Sequence, residues 1–133
     1  MRGLLTHPSS RARRVRLWLP AIAYMAFIFG LSSISAPPTL PAGADKQLHT
    51  LLYAGLGALV ARAVAGGVRR MTVAQVVQAT VIGAAYGISD ELHQYFTPPR
   101  AVEALDAAAD AIGSALGAGL VYAWGIIRGR DGV

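Results

Sequence analysis

The sequence has no cysteine, and only 14% of its 133 residues are charged. The absence of thiols excludes a disulfide framework and a thiolate nucleophile, and it leaves the redox compartment undetermined. Paired ligand spacings of the His-Glu-x-x-His type are absent too, so no standard zinc motif is present. The net charge is +5, but the basic residues form no patch interleaved with aromatics, and we predict no nucleic-acid partner.

Apolar residues dominate the chain instead. They make up 54% of it, and the mean hydropathy is +0.46. This balance is unusual for a soluble domain and typical of an integral membrane protein. We therefore predict an all-α protein of the cell membrane, with membrane lipids as partners and no cofactor or resident metal.

Four apolar segments have the length of membrane spans, since a hydrocarbon core of about 30 Å needs roughly 20 helical residues. The predicted helices cover residues 17–34, 46–66, 71–96 and 103–127. Residues 17–127 would form a four-transmembrane-helix bundle between a basic cytoplasmic tail, 1–16, and a short cytoplasmic tail, 128–133. A cleavable signal peptide ending near residue 35 is the alternative for the first segment. We favour an intact span, because cleavage there would leave an odd number of membrane spans.

Basic and acidic residues fall on opposite sides of this bundle. Ten of the twelve Lys and Arg residues lie in the two tails or near the turn between helices 2 and 3. By the positive-inside rule this side is cytoplasmic, and so are both termini. The acidic residues other than Asp131 lie on the opposite side, together with His49 and His93. The candidate chemistry therefore gathers at the extracytoplasmic face.

Polar residues of helices 2, 3 and 4 are spaced so that they converge there. Asp45, which we predict as an N-cap, lies on one side of helix 2 with His49 and Tyr53. On helix 3, Glu91 lies about 100° round from Asp90 but stays near Gln94. The other polar residues of this helix end share one arc: Asp90, His93, Gln94 and Thr97, with Tyr86 and Gly83. Counted from the helix ends, Asp90 and Asp110 lie at one depth, roughly 10 Å in. Each of these residues taken singly has a structural explanation; Asp106, for example, would stabilise a helix N-terminus. Such explanations do not account for the convergence of all of them at one face.

Two Gly-x-x-x-Gly patterns indicate close helix packing. They are Gly83 to Gly87 on helix 3 and Gly113 to Gly117 on helix 4. We predict that these glycines bring helices 3 and 4 together, and with them the polar ends of both helices.

These residues resemble the VanZ-like membrane family. The resemblance rests on Asp45-Lys46-x-x-His49-x-x-x-Tyr53, Glu91-x-x-Gln94-x-x-x-Pro98-x-Arg100 and Asp106-x-x-x-Asp110-x-x-Gly113-x-x-x-Gly117, within about residues 44–120. It implies a small multi-span helical protein of the bacterial inner membrane. The name-giving member is associated with resistance to the glycopeptide teicoplanin. Family members often carry asparagine where this chain has Asp110, so the resemblance does not imply a carboxylate there.

The leading hypothesis is an enzyme or lipid-modifying factor that acts on an anionic or lipid-linked envelope substrate at the outer leaflet. Arg100 suits bidentate binding of a phosphate or carboxylate, with Lys46 beside it. Glu91 would act as general acid or base with His49 as its proton partner. The predicted catalytic residues are Glu91, His49 and Asp106. The predicted substrate-binding residues are Lys46, Tyr53, Asp90, Gln94, Arg100 and Asp110.

Three other functions remain open. A non-catalytic protein could bind or protect an envelope lipid or a peptide terminus in the same cleft. A proton-coupled transporter is disfavoured, because four spans without repeat symmetry would need an oligomer. The third is a divalent-metal site in the bundle core. Its ligands would come from Asp90, Glu91, His49, His93 and Asp106.

Overall fold

The computed structural model describes residues 10–99 and 101–130, which form four α-helices. Their bounds are Ser10–Ser32 (α1), Ala44–Val64 (α2), Val73–Tyr95 (α3) and Ala104–Arg130 (α4). The prediction of an all-helical chain with four helices is confirmed for these residues. Helix α1 begins seven residues before the predicted start at Leu17, so part of the predicted tail is helical. Arg100 lies outside the described residues, as do 1–9 and 131–133.

The helix starts differ in how they are capped. Thr72 and Gln75 form a capping box at α3, in which each side chain accepts a hydrogen bond from the other residue's backbone N–H. At α2 the predicted N-cap is wrong. Gly43, with a φ of 82°, occupies the cap position and makes no side-chain hydrogen bond. Asp45 lies in the first turn, where it is free to contact Lys46.

Helices α2 and α4 run parallel and meet through glycines. A Cβ on Gly113 would collide with the backbone of Thr50, and one on Gly117 with the carbonyl of Ala54. A Cβ on Gly57 would in turn collide with the backbone of Ser114. The predicted partner of Gly113 and Gly117 was α3, and this is wrong: both face α2. Close backbone approach is what such small-residue patterns permit between membrane helices.

Helix α3 runs antiparallel to α4 and packs on it through the other glycine pair, as predicted. Gly83 faces the side chain of Ser114, and Gly87 faces Asp110, whose Cβ would be 2.7 Å from an added Cβ. The absence of a side chain at Gly87 therefore makes the space that Asp110 fills.

Helix α1 packs against both α2 and α3. The Tyr24 ring covers Gly55 on α2. The hydroxyl of Tyr86 on α3 donates a 2.5 Å hydrogen bond to the carbonyl of Met25. A core of small and aliphatic side chains lies between the helices, and Tyr53, Leu56 and Val60 are fully buried in it.

Two of the helices, Ser10–Ser32 and Ala104–Gly129, are long and apolar enough to cross a membrane. Large apolar side chains are also exposed on the outer faces of all four helices. Among these are Leu19, Phe27, Leu51, Val77, Val81, Ile88, Leu116 and Leu120. Such an apolar exterior around a core with buried polar groups is expected of a protein that is surrounded by lipid.

The two ends of the bundle carry opposite charge. At one end the Arg13 guanidinium donates a 2.5 Å hydrogen bond to the carbonyl of Gly66, beside Arg69 and Arg70 in the α2–α3 turn. At the other end, the side chain of Lys46 contacts acidic residues.

Candidate functional site

The mouth of the acidic end is organised around Lys46, in the first turn of α2. Its Nζ lies 3.0 Å from Asp45 Oδ2, 2.5 Å from Glu103 Oε2 and 2.5 Å from Asp106 Oδ1. Three carboxylates thus surround one ammonium, and they tie the start of α2 to the start of α4. An incoming anion would have to displace carboxylates to reach this charge, which weakens the expectation that Lys46 binds a phosphate.

His49 lies one turn deeper on the same face of α2. Its Nδ1 is 2.8 Å from Asp110 Oδ1, and its Nε2 is 3.8 Å from Asp106 Oδ2. The Asp110 side chain is fully buried, and that of His49 is 14% exposed. A carboxylate that accepts the Nδ1 hydrogen fixes the orientation of the imidazole and leaves Nε2 for a second proton.

Glu91 joins this cluster from α3. It is four residues beyond Gly87, so it shares the face that packs on α4, whereas Asp90, about 100° away on the helix, faces the cavity. Its Oε2 accepts a 3.1 Å hydrogen bond from the backbone N–H of Glu103. Glu103 therefore contacts Lys46 with its side chain and Glu91 with its backbone.

His93 belongs to a different contact. Its ring stacks on Phe29 with 4.4 Å between the ring centroids, and its Nε2 lies 3.0 Å from Ser33 Oγ. This face of α3 packs on α1, as does Tyr86. The metal alternative that included His93 with the other acidic-end residues is therefore not supported at that position.

Several buried polar atoms of the site have no hydrogen-bond partner among the described residues. They are Asp90 Oδ1, Glu91 Oε1, Asp110 Oδ2 and the Tyr53 hydroxyl. Buried carboxylate oxygens without donors are costly, since each has lost its water. Sites with this property favour a bound ligand or ion that supplies the missing partners.

A cavity of about 790 Å³ opens beside the cluster. One wall is apolar and comes from α1, the α1–α2 connection and α2. It includes Ile28, Leu31, Pro37, Pro38, Leu40, Leu48 and Leu52. The opposite wall is polar and carries Ser32, His49, Tyr53, Asp90, Gln94 and Asp106. Glu91 and Asp110 lie behind this polar wall, in contact with Glu103 and His49.

The structure brings most of the predicted site residues together. Lys46, His49, Asp106 and Asp110 are linked by direct contacts, and Glu91 joins them through Glu103. Tyr53, Asp90 and Gln94 line the cavity next to them. Arg100 lies outside the described residues, so its predicted role stays a prediction.

Sequence reasoning missed three contributors. Ser32 lines the cavity from α1, a helix that was not expected to take part. Glu103 was counted among the acidic residues but not as part of the site. Its position one turn before Asp106 was an available signal. The third is the α1–α2 connection with its prolines, whose hydrophobic wall depends on tertiary packing that no local pattern encodes.

The comparison with family models decides the chain's relationship, because residues 17–127 match the VanZ/LLP1 model. The chain belongs to the VanZ/LLP1 family. Comparison with curated proteins and with solved structures gave no significant match. Membership of the VanZ/LLP1 family and the two long apolar helices together indicate association with a membrane.

Among the residues that the structure describes, two groups in this VanZ/LLP1 family member have the composition of a metal site. Asp45, Glu103 and Asp106 form one group, and His49, Glu91 and Asp110 form the other, each with ligand atoms within 4.8 Å of one another. The Lys46 ammonium already lies among the three carboxylates of the first group. The second lies deeper and contains the imidazole.

Proposed function

We propose that this VanZ-like protein crosses the cell membrane four times and binds a lipid-linked envelope molecule near the extracytoplasmic face. The arginine-rich end of the bundle would lie in the cytoplasm together with both termini, by the positive-inside rule. The alternating directions of the four helices support this arrangement, since neighbouring helices in sequence run antiparallel.

The observation that carries the proposal is the cavity with one apolar and one polar wall. Its volume of about 790 Å³ is in the range of ligand sites, which hold a ligand by apolar contact and orient it with a few polar groups. Leu48 and Leu52 would contact the lipid portion. Asp90 and Gln94 would contact the polar portion, at the level of the headgroups.

Asp90 is the group best placed for acid–base chemistry on such a substrate. It lines the cavity, it is 5% exposed, and its Oδ1 has no partner among the described residues. Glu91, the predicted general base, lies behind the polar wall instead. We therefore assign proton exchange with the substrate to Asp90, with Asp106 on the same wall.

The test is native mass spectrometry of protein purified from cell membranes in mild detergent. The wild-type chain should retain a lipid-linked envelope molecule. Leu48→Trp, which fills the apolar wall, should lose it. Leu51→Trp should keep it, because Leu51 is 70% exposed and does not line the cavity. Equal retention by both variants would contradict binding in this cavity.

A second candidate function is binding or protection without turnover. It is favoured because His49 contacts carboxylates and not a hydroxyl that it could activate. The hydroxyl of Ser114 is enclosed against Gly83. No described hydroxyl is placed as a nucleophile next to the imidazole. Incubating the retained lipid with protein separates the two functions. If the protein is an enzyme, the wild-type chain changes the lipid's mass and the Asp90→Asn variant does not. If it only binds the lipid, the mass stays unchanged with the wild-type chain and with the variant.

A link to glycopeptide response is part of the same proposal. Expression of the wild-type chain in a teicoplanin-sensitive bacterium should raise the inhibitory concentration of the drug. Leu48→Trp at the same membrane level should not. A rise with both variants would mean that the response does not pass through the cavity.

A further inference from the structure

We propose that His49, Glu91 and Asp110 bind one divalent metal ion. This inference is independent of the lipid ligand, since it depends only on side chains behind and within the polar wall. Each residue offers one ligand atom, and the three atoms lie within 4.8 Å of one another. Three atoms within 4.8 Å of one another lie no more than about 2.8 Å from a common point, whereas ligands are held at about 2.0–2.2 Å from an ion. Side-chain movements of at most roughly 0.8 Å therefore complete the site.

The carboxylate oxygens of this group indicate that a cation is needed. Glu91 is 3% exposed and Asp110 is fully buried, and both Glu91 Oε1 and Asp110 Oδ2 have no hydrogen-bond partner among the described residues. Two buried carboxylates this close repel each other and have lost their hydration. A divalent ion would neutralise both carboxylates and would bind the oxygens that have no hydrogen-bond partner.

The neighbouring acidic group already encloses a cation. Asp45, Glu103 and Asp106 surround the Lys46 ammonium within 3.0 Å. The inner group has the same number of potential ligands, but within residues 10–99 and 101–130 no ammonium or guanidinium forms an ion pair with Glu91 or Asp110. The two groups therefore differ in kind: the outer one is an internal ion-pair network, and the inner one is suited to an added ion.

The ligand set indicates which ions fit. One imidazole nitrogen with two carboxylate oxygens suits Mn²⁺ or Zn²⁺ better than Ca²⁺, which prefers an all-oxygen site. Three protein ligands leave at least one coordination position open, as in catalytic rather than structural sites. Since His49 also lines the cavity, an ion can enter from there.

Purified full-length protein in detergent, stripped with a chelator and titrated with Mn²⁺, tests the proposal by electron paramagnetic resonance. We expect one saturable Mn²⁺ per chain, with a nitrogen coupling in the pulsed spectrum from the imidazole. Glu91→Gln and Asp110→Ala should each weaken binding at least tenfold, and His49→Gln should remove the nitrogen coupling. Zn²⁺ should compete for the same site.

Asp45→Asn is the matched control, since it removes a carboxylate from the group around Lys46, and its Mn²⁺ affinity should stay within twofold of wild type. Circular dichroism and gel filtration confirm that each variant is folded. The proposal is overturned by absence of saturable binding, by a wild-type spectrum without nitrogen coupling, or by equal weakening in Asp45→Asn. Leu48→Trp should keep its Mn²⁺ while losing the lipid, so failure of one proposal is distinguishable from failure of the other.

Discussion

The imidazole of His49 and the carboxylate of Asp110 link α2 to α4 across 2.8 Å, at a depth where the Asp110 side chain is fully buried. This contact needs two backbones that approach closely. Gly113, one turn beyond Asp110, packs on the Thr50 backbone, and Gly87 leaves room for the Asp110 side chain. The close helix packing at Gly113 and Gly87 therefore positions His49 and Asp110 next to each other.

Gly117→Ala should destabilise the protein more than Gly119→Ala. A Cβ at position 117 meets the Ala54 carbonyl, which cannot move without shifting α2. We expect a loss of about 1–3 kcal/mol, the usual cost of overpacking. Gly119 has nothing within 4 Å of an added Cβ, so its replacement should be neutral or slightly stabilising through helix propensity. Thermal unfolding in detergent measures both, and equal effects would contradict the close α2–α4 contact.

Lys46 and Asp106 should be energetically coupled. Their 2.5 Å ion pair is partly buried, with the Lys46 side chain 29% exposed and that of Asp106 10% exposed. Lys46→Met leaves three carboxylates without their shared cation and should destabilise the protein by roughly 1–2 kcal/mol. Asp106→Asn leaves the ammonium with Asp45 and Glu103, so it should cost less than about 1 kcal/mol. A double-mutant cycle should give a coupling of about 1 kcal/mol. Strict additivity of the two single effects would show that the pair contributes nothing.

Tyr86→Phe should weaken the attachment of α1. The hydroxyl donates to the Met25 carbonyl at 2.5 Å, and a hydrogen bond of this kind contributes about 1 kcal/mol. Faster proteolysis of α1 in detergent, at unchanged cleavage elsewhere, is the measurement. Tyr95→Phe is the control, because Tyr95 is 70% exposed and contacts the ring of Phe96. If both variants are cleaved alike, the Tyr86 hydrogen bond does not hold α1 in place.

Membrane orientation can be read from single cysteines, because the natural chain has none. Ala42→Cys lies in the α1–α2 connection, and Arg69→Cys lies in the α2–α3 turn; both positions are exposed. A membrane-impermeant maleimide added to intact cells should label the cysteine at position 42 from outside. The cysteine at position 69 should react only after the cells are opened. The reverse pattern would invert the proposed topology.

Much of this architecture was predictable from local patterns. Hydropathy and length predict four helices, and charge segregation separates the arginine-rich end from the acidic end. Helical spacing predicts that Lys46, His49 and Asp106 share a region, since it places each polar residue on one face near one helix end. The contacts among these residues confirm that part.

The remainder depends on which helix lies against which face. A Gly-x-x-x-Gly pattern states that a neighbour approaches closely but not which one, so the α2 partner of Gly113 could not be read from it. The sequence likewise did not show that Glu91 lies behind the polar wall while its neighbour Asp90 lines the cavity. The three partners of Lys46 come from both α2 and the start of α4, and only tertiary structure chooses among the six acidic residues at that end.

The parallel contact of α2 and α4 has a consequence for biosynthesis. In the four-span arrangement that we propose, Lys46 and His49 enter the membrane with α2, but Glu103, Asp106 and Asp110 are translated more than 50 residues later. Until α4 is inserted, an ammonium and an imidazole on α2 lack their carboxylate partners, which favours retention beside the insertion machinery over release into lipid. On this proposal the polar site is complete only after α4 is inserted, and chains truncated before α4 should be degraded rather than accumulate.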